Sequence, residues 1–157
     1  MRHKKAVKRL VEPDKLYNSV AVTRFINRLM KDGKKSIAEK VVYNAFELIK
    51  AKGQDPLEVF QKALDTVSPT VEIKARRVGG ANYQVPVEVR GERKVALAIR
   101  WILEAATGRP NKEFHTFSEK LVAEFEAILM GQGAAIQKRD NVHKQADANR
   151  AFAHFRF

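Results

Sequence analysis

The stretch VEIKARRVGGANYQVPVEVR, residues 71–90, decides the fold, because its apolar residues recur at every second position while the flanking segments repeat with a helical period. Apolar and charged residues alternate from Val71 to Arg76, and an apolar alternation resumes from Tyr83 to Val89. Between these runs lie Gly79, Gly80, Ala81 and Asn82. Two alternating runs joined through a glycine pair predict a β-hairpin.

This hairpin needs support from the rest of the chain. Pro86 cannot donate a ladder hydrogen bond, so its strand has an open edge there, and no third strand is evident elsewhere in the sequence. A two-stranded ribbon alone is only marginally stable in water. We therefore expect the helices to brace the hairpin at its base and to leave its far end free to reach outward.

Apolar residues recur with a helical period on both sides of the hairpin. They predict three helices before it, at about residues 20–31, 36–52 and 56–68, and three after it, at about 92–108, 116–130 and 138–152. The fourth helix is apolar on more than one side, which is typical of a central, buried helix. Ser19 is placed to cap the first helix. Capping-box spacing occurs in Ser36 with Glu39, Asp55 with Glu58, and Thr116 with Glu119.

The sequence thus predicts a mainly α-helical fold, a bundle of six helices with one β-hairpin inserted between helices three and four and an extended N-terminal arm. No repeat or low-complexity linker divides the chain, so residues 1–157 are expected to form a single domain. Its parts are a basic arm at 1–18, helices one to three at 19–70, the hairpin at 71–90, and helices four to six with a C-terminal tail at 91–157.

The chain is strongly basic. Its 157 residues include 30 Lys and Arg against 18 Asp and Glu, a formal net charge of +12, with a hydrophobic fraction of 45% and no cysteine. These values predict a globular protein with a polyanionic partner, and they exclude disulfides, thiolate nucleophiles and cysteine-ligated zinc. No apolar run is long enough for a membrane span and the N-terminus lacks a signal-peptide core, so we expect a soluble intracellular protein.

The positive charge is concentrated in three blocks. Residues 1–35 hold 11 basic and 3 acidic side chains, residues 71–100 hold 7 and 3, and residues 138–157 hold 5 and 2. The segments between them carry a slight negative charge, so they are interpreted as scaffold and the basic blocks as surfaces that face a partner. The alternative is that the basic residues are only solvated faces, although solubility needs a smaller net charge than this.

Signals for catalysis, metals and cofactors are poor. The string DGKKS at Asp32–Ser36 lacks the upstream glycine of a phosphate-binding loop and follows a helix, where that motif requires a strand. The histidines show no close metal-ligand spacing, and no pair of carboxylates stands out. We therefore expect neither an enzyme nor a metal or cofactor site.

Signals for binding nucleic acid are better. Arginine forks phosphate oxygens and stacks on bases, and the glycine pair lets the backbone of the hairpin tip approach a partner closely. Tyr83 has two open interpretations, stacking on a base or packing on its own sheet. The first helix adds a cationic stripe. The hairpin and the stripe carry Lys74, Arg76, Arg77, Arg90, Arg93 and Lys94, and Arg24, Arg28, Lys31 and Lys35.

Composition alone does not separate RNA from DNA. A β-ribbon on a helical body also occurs in architectural proteins that bend DNA, but those insert apolar wedges at the ribbon tip. The tip here consists of arginine, glycine and small polar residues, which favours shaped RNA. An architectural DNA binder is the second hypothesis, and a small enzyme, supported only by chain size, is the third.

Three strings resemble one known family. DGKKS at Asp32–Ser36, RRVGGANYQVPVEVR at Arg76–Arg90 and ANRAFAHFRF at Ala148–Phe157 are similar to bacterial-type small-subunit ribosomal protein seven. The likeness runs from about Leu16 to the C-terminus. It implies six helices with the hairpin, and a structural RNA binder without catalysis or cofactor, located in a cytoplasmic ribosome or an organellar one.

The resemblance also implies partners. Family members bind the 3′ major (head) domain of 16S ribosomal RNA and nucleate folding of the head. Their hairpin reaches toward the exit-site tRNA and mRNA, and their C-terminal region lies near ribosomal protein eleven. No membrane partner and no obligate small-molecule ligand are implied.

The site residues expected on this basis fall into three groups. Contacts to ribosomal RNA are expected from Arg2, Lys4, Lys5, Lys8, Arg9, Arg24, Arg28, Lys31, Lys34, Lys35, Arg93, Lys94, Arg109, Lys112, Lys138 and Arg139. Contacts of the hairpin to ribosomal RNA, exit-site tRNA or mRNA are expected from Lys74, Arg76, Arg77, Gly79, Gly80, Tyr83 and Arg90. Contacts to a protein partner are expected from His143, Arg150, Phe152, Phe155 and Phe157.

Overall fold

The computed structural model describes residues 10–155. The expected arm contacts Arg2, Lys4, Lys5, Lys8 and Arg9 and the expected tail contact Phe157 lie outside the described residues. In chain order the elements are α1 (Val20–Leu29), α2 (Lys35–Ala51), α3 (Pro56–Val67), β1 (Val71–Val78), β2 (Ala81–Glu88), α4 (Glu92–Gly108), α5 (Phe117–Leu129), α6 (Ala134–Ala148) and a 3₁₀ helix (Arg150–Phe155). The predicted fold class is confirmed, with the hairpin between α3 and α4.

The core is a cluster of aromatic and aliphatic side chains from all six α-helices. Phe60 lies at its centre, with ring centroids 5.3 Å from Phe25, 5.7 Å from Phe46 and 6.0 Å from Phe125. The edge-to-face angles of 85° to Phe25 and 87° to Phe125 are favourable for aromatic pairs. As predicted, α4 is buried on more than one side, including Trp101.

The start of α6 differs from the prediction. The helix begins at Ala134, four residues before the predicted Lys138, because the buried carboxylate of Glu124 accepts the backbone N–H of Ala135 at 3.2 Å. A side chain eleven residues earlier thus satisfies a backbone donor at the helix N-terminus. Gly133 precedes the helix with φ 119°, a left-handed value that other residues rarely adopt.

The end of α6 differs as well. The predicted helix runs to Phe152, but α6 ends at Ala148 and a separate 3₁₀ helix follows. The side-chain amide of Asn149 donates to the carbonyl of Gln145 at 2.8 Å, and its backbone N–H donates to the same carbonyl. The backbone N–H of Phe152 then donates to the carbonyl of Asn149, three residues earlier, at 3.0 Å, which is the bonding pattern of a 3₁₀ helix.

One of the three predicted capping boxes forms. Thr116 accepts the backbone N–H of Glu119, and Glu119 accepts the backbone N–H of Thr116. The box at Ser36 does not form, because α2 begins one residue earlier, at Lys35. At α3, Asp55 caps the helix by accepting the N–H of Leu57, but Glu58 pairs with Lys62 and does not complete the box. At α1, Ser19 occupies the predicted N-cap position without a side-chain hydrogen bond.

The hairpin is tighter than predicted. Its strands pair in register from Val71 opposite Glu88 to Val78 opposite Ala81, so Ala81 and Asn82 belong to β2. Only Gly79 and Gly80 form the turn, with φ 57° and 90°. Two successive residues of positive φ suit a two-residue hairpin whose twist matches that of the strands.

The predicted arm also ends earlier than expected. Residues 14–18 are not extended: Asp14 is buried and its carboxylate accepts the backbone N–H groups of Leu16 and Tyr17, each at 3.1 Å. Its other oxygen accepts the hydroxyl of Tyr43 on α2 at 2.7 Å. The ring of Tyr17 meets that of Phe46 edge to face at 5.0 Å, so this turn is anchored on α2.

Candidate nucleic-acid interface

A groove between α1 and α4, with a volume of about 740 Å³, gathers cations from two separate charge blocks. Arg24 and Arg28 project into it from α1, and Arg93 and Arg100 from α4. We call these four residues and the space between them the α1–α4 groove. A neighbouring cleft of about 380 Å³ shares Arg28 and Arg100 and adds Lys31. The cationic stripe predicted on α1 therefore faces a second stripe on α4.

Arg100 was missed by the sequence analysis. Its side chain is exposed, although it belongs to a helix whose many apolar residues predict a central, buried position. The signal was present in the sequence: Arg93 and Arg100 are seven residues apart, two helical turns, and therefore share a face. Neither Arg28 nor Arg100 makes an ion pair with the part of the chain that the structure describes, whereas the other two arginines of the groove do.

Those two arginines are held by carboxylates. Arg24 on α1 donates to Glu92 at the start of α4 at 2.6 Å, which bridges the mouth of the groove. Arg93 donates through Nε and Nη2 to Oε2 of Glu72 on β1, at 3.1 and 3.0 Å. The ammonium of Lys74 lies 3.0 Å from the other oxygen of the Glu72 carboxylate. The groove and the base of the hairpin are therefore joined through one acid.

Glu72 is buried, yet its carboxyl has a lower pKa than an ordinary glutamate. Burial by itself would raise the pKa of its carboxyl, but hydrogen bonds from Lys74 and Arg93, together with their charges, lower that pKa below its ordinary value. The carboxylate is therefore ionised at neutral pH. Since two cations share its one negative charge, the cluster of Glu72, Lys74 and Arg93 keeps a net charge of +1.

The end of the hairpin that carries the turn is polar and exposed. Arg76 and Arg77 are both exposed near the end of β1, and a Cβ added to Gly79 or Gly80 would have no heavy atom within 4 Å beyond its chain neighbours. Arg77 makes no ion pair with any described residue. At the other end of the hairpin, Arg90 pairs with Glu88. The predicted hairpin cations thus divide into those near the turn and those at the base.

Tyr83 is engaged by the protein itself. Its ring centroid lies 5.2 Å from that of Phe152 and 4.9 Å from that of Phe155, both in the C-terminal 3₁₀ helix. Of the two interpretations of Tyr83, packing within the protein is the one that the structure has, although the partner is the tail and not the hairpin's own sheet. Phe152 and Phe155, expected to contact a protein partner, are half-buried here.

The cations of α6 are partly engaged by the scaffold. Arg139 donates to the carbonyl of Thr66 and, through Nε, to Asp140 at 2.8 Å, while Lys138 lies 3.7 Å from Glu104. His143 accepts the backbone N–H of Thr70 through Nε2 at 3.2 Å, which ties α6 to the residue preceding β1.

The remaining predicted cations divide between side chains without a close ionic partner and side chains engaged by the protein. Lys34, Lys94 and Lys112 have no ion-pair partner among residues 10–155, and Lys35 is 4.0 Å from Glu39. Arg109 is different, because its Nε donates to the buried carboxylate of Glu124 at 2.9 Å and its Nη2 to the carbonyl of Ala123 at 3.0 Å. The contacts of Arg109 are those of a structural residue. Arg150 is exposed in the 3₁₀ helix.

Among residues 10–155, no group of three or more histidine and acidic side chains is arranged to hold a metal ion. Within that same range, no helix has the length and apolar character needed to cross a membrane.

Comparison with known proteins identifies the family of the chain. Residues 1–150 match the family model described as ribosomal protein S7p/S5e. The chain is 55% identical over 157 residues to the small ribosomal subunit protein uS7 of Burkholderia mallei (strain SAVP1), with 99% of each chain covered. The same values hold for the proteins of that name in Burkholderia pseudomallei (strain 668) and Burkholderia multivorans (strain ATCC 17616 / 249). The chain therefore belongs to the ribosomal protein S7p/S5e family, whose members are structural, RNA-binding components of the small ribosomal subunit and not enzymes.

Proposed function

We propose that this protein binds the 3′ major (head) domain of 16S ribosomal RNA, nucleates assembly of the head and lines the region of the exit-site tRNA and mRNA. Membership of the family makes it a component of the ribosome, with ribosomal RNA and ribosomal proteins as partners. The proposal adds which RNA domain it binds and which of its surfaces do so.

The observation that carries the proposal is the pairing of cationic stripes across the α1–α4 groove. Four arginines line one concave surface, and Arg28 and Arg100 have no acidic partner among the described residues. Guanidinium groups without such partners bind phosphate oxygens in bidentate fashion, and a groove presents several of them to a continuous backbone. The surface thus has the chemistry needed to hold folded RNA.

The hairpin supports the part of the proposal that concerns the exit site. Its turn has an exposed backbone with no side chain, and Arg76 and Arg77 lie directly before it. Such a tip lacks the apolar wedge with which architectural proteins open DNA. We assign this end of the hairpin to the exit-site tRNA and mRNA, and the α1–α4 groove to ribosomal RNA.

The remaining contacts are assigned in the same way. Ribosomal protein eleven is proposed to meet the C-terminal region near His143 and Arg150. We place the protein in the ribosomes of a bacterial cytoplasm, in keeping with relatives from bacteria.

A competition experiment tests the proposed function. The protein is bound to a head-domain RNA fragment at moderate salt, and the bound RNA is measured by filter binding. An excess of duplex DNA should displace only a small part of that RNA. The logarithm of the binding constant should fall with the logarithm of salt concentration with a slope on the order of −4 to −8, for about 6 to 10 phosphate contacts. Equal affinity for the two nucleic acids, or a slope near zero, would overturn the proposal.

A further inference from the structure

The C-terminal 3₁₀ helix packs on the hairpin through three aromatic rings, which we call the tail cluster: Tyr83, Phe152 and Phe155. The ring of Tyr83 lies 5.2 and 4.9 Å from the two phenylalanine rings. Those two rings lie 6.4 Å apart and are nearly parallel, at 15°. Each separation is within the range of favourable aromatic pairs.

The tail cluster lies far along the hairpin from the helical support at its base. Tyr83 is the third residue of β2, three positions after the last turn residue, Gly80, and its partner across the ladder is Arg76. The hairpin is held at its base by Arg93 on Glu72 and by His143 on the N–H of Thr70. The expectation that the far end of the hairpin is free of support is therefore wrong for β2.

Tyr83 contributes to the tail cluster through its aromatic ring. Its hydroxyl makes no hydrogen bond to the described residues, so packing accounts for its place in the cluster. A two-stranded ribbon is marginally stable by itself, and an aromatic contact close to its turn opposes both fraying and bending.

We infer that the C-terminal 3₁₀ helix is a brace that fixes the direction of the hairpin, with Tyr83 as a positioning residue for Arg76 and Arg77. The brace acts within the protein alone. Its consequence for RNA binding rests on the proposed function, because it requires the arginines to meet RNA. Stacking of Tyr83 on an RNA base is the competing role.

The test removes the brace without changing any charge. The double variant Phe152→Ala with Phe155→Ala keeps Arg150 and His154, so the electrostatic attraction to RNA is unchanged. Hydrogen exchange of the RNA-free protein should speed up by about tenfold at the β2 amides beside the turn, because the variant removes both aromatic pairs that Tyr83 makes with the tail. The amides of α2 and α5 should be unaffected. Leu48→Ala on α2, which shortens a side chain that is 40% exposed, is the matched control and should leave exchange in the hairpin unchanged.

The direction of the hairpin can be measured separately. Because the chain has no cysteine, Ala81→Cys at the hairpin tip and Asn44→Cys on α2 provide a unique pair of spin-label positions. The distance distribution should be narrow with the intact tail and should broaden in the double phenylalanine variant. Unchanged exchange and an unchanged distribution in that variant would overturn the brace.

Conservative replacement of Tyr83 separates positioning from a general effect on folding. Tyr83→Phe retains the ring and should keep the narrow distribution, while Tyr83→Ala should broaden it. Equal broadening by both variants would contradict a ring-packing role. The double variant Arg76→Ala with Arg77→Ala tests the proposed function separately. If it left RNA affinity unchanged, that result would count against the proposed function, while a brace confirmed by the distance measurements would still stand.

If Tyr83 instead stacks on RNA, Tyr83→Ala should weaken RNA binding while leaving the distance distribution of the free protein narrow. That pattern would overturn the positioning role.

Discussion

Arg93 donates two hydrogen bonds, through Nε and Nη2, to a single oxygen of Glu72, at 3.1 and 3.0 Å. The contact crosses from the first turn of α4 to the second residue of β1. A buried acid therefore determines how the base of the hairpin is seated on the helical body, and it does so at the edge of the α1–α4 groove.

Replacing this acid should destabilise the protein. Glu72→Gln should lower the free energy of unfolding by about 1 kcal/mol, a value well below that of a fully buried ion pair because the cations on either side are at least half exposed to screening solvent. Urea unfolding followed by circular dichroism measures the change. Glu58→Gln, which breaks the exposed pair with Lys62, is the control and should cost less than about 0.5 kcal/mol. Equal losses in the two variants would contradict the assigned role of Glu72.

The same acid should make stability depend on pH. The pKa of Glu72 is lowered in the folded protein, so its contribution is present above the ordinary carboxyl pKa of about 4.3 and is lost as the pH falls through the lower, folded-state value. The difference in unfolding free energy between the wild type and Glu72→Gln should therefore shrink below about pH 4. Urea titrations from about pH 3 to 7 test this, and a difference that is constant with pH would contradict it.

Gly133 should tolerate no side chain. Its φ of 119° is unfavourable for other residues, and a Cβ at this position would lie 3.0 Å from Oε1 of Glu124. Gly133→Ala should therefore lower the free energy of unfolding by about 1 to 3 kcal/mol. Gly108→Ala is a matched control, because that glycine lies in the last turn of α4 and a Cβ there would have nothing within 4 Å. It should be neutral or stabilising by up to about 1 kcal/mol. Thermal unfolding of both variants decides the point.

The α1–α4 groove should contribute to RNA affinity without contributing to folding. Arg28→Ala with Arg100→Ala should weaken binding to a head-domain RNA fragment and make the salt slope shallower by about two units, roughly one for each phosphate that is no longer neutralised. Stability should change by less than about 0.5 kcal/mol per site, as is usual for exposed positions. Lys50→Ala, an exposed cation on α2, should leave the slope unchanged. If the double arginine variant had the same salt slope as the wild type, the groove would not be part of the RNA interface.

The two arginines before the turn should also contribute to RNA contacts without contributing to folding, and here the partner is the exit-site tRNA. Arg76→Ala with Arg77→Ala should weaken contacts to exit-site tRNA, measured by protection of tRNA nucleotides in reconstituted subunits, while the melting temperature of the free protein changes little. Both side chains are exposed, which is why stability should be spared. A large fall in melting temperature would show that these arginines are structural.

The order and type of the helices and strands could be read from the sequence, whereas several boundaries could not. The change of period at Val71 and the glycine pair identify the hairpin from local pattern alone. The start of α6 is set by Glu124, a residue outside that helix, so local periodicity carries no information about it. The same holds for Tyr83, whose partners lie about 70 residues later in the chain.

In the candidate site too, the features set by local spacing could be predicted from the sequence, and those set by tertiary packing could not. Cations spaced at helical intervals on α1 were evident, because spacing alone places them on one face. Which of them meet an acid depends on tertiary packing, so the engagement of Arg109 with Glu124 and of Arg93 with Glu72 appeared only in the structure. Arg100 shows the opposite failure, since its spacing from Arg93 was visible in the sequence but was overlooked on a helix interpreted as core.

The carboxylate of Glu124 has two protein partners, the guanidinium of Arg109 after α4 and the first turn of α6. A displacement of the loop after α4 therefore cannot occur without disturbing the seat of the C-terminal helix. Two segments that lie on either side of α5 in the chain thus share one anchor, and the placement of each depends on the same carboxylate.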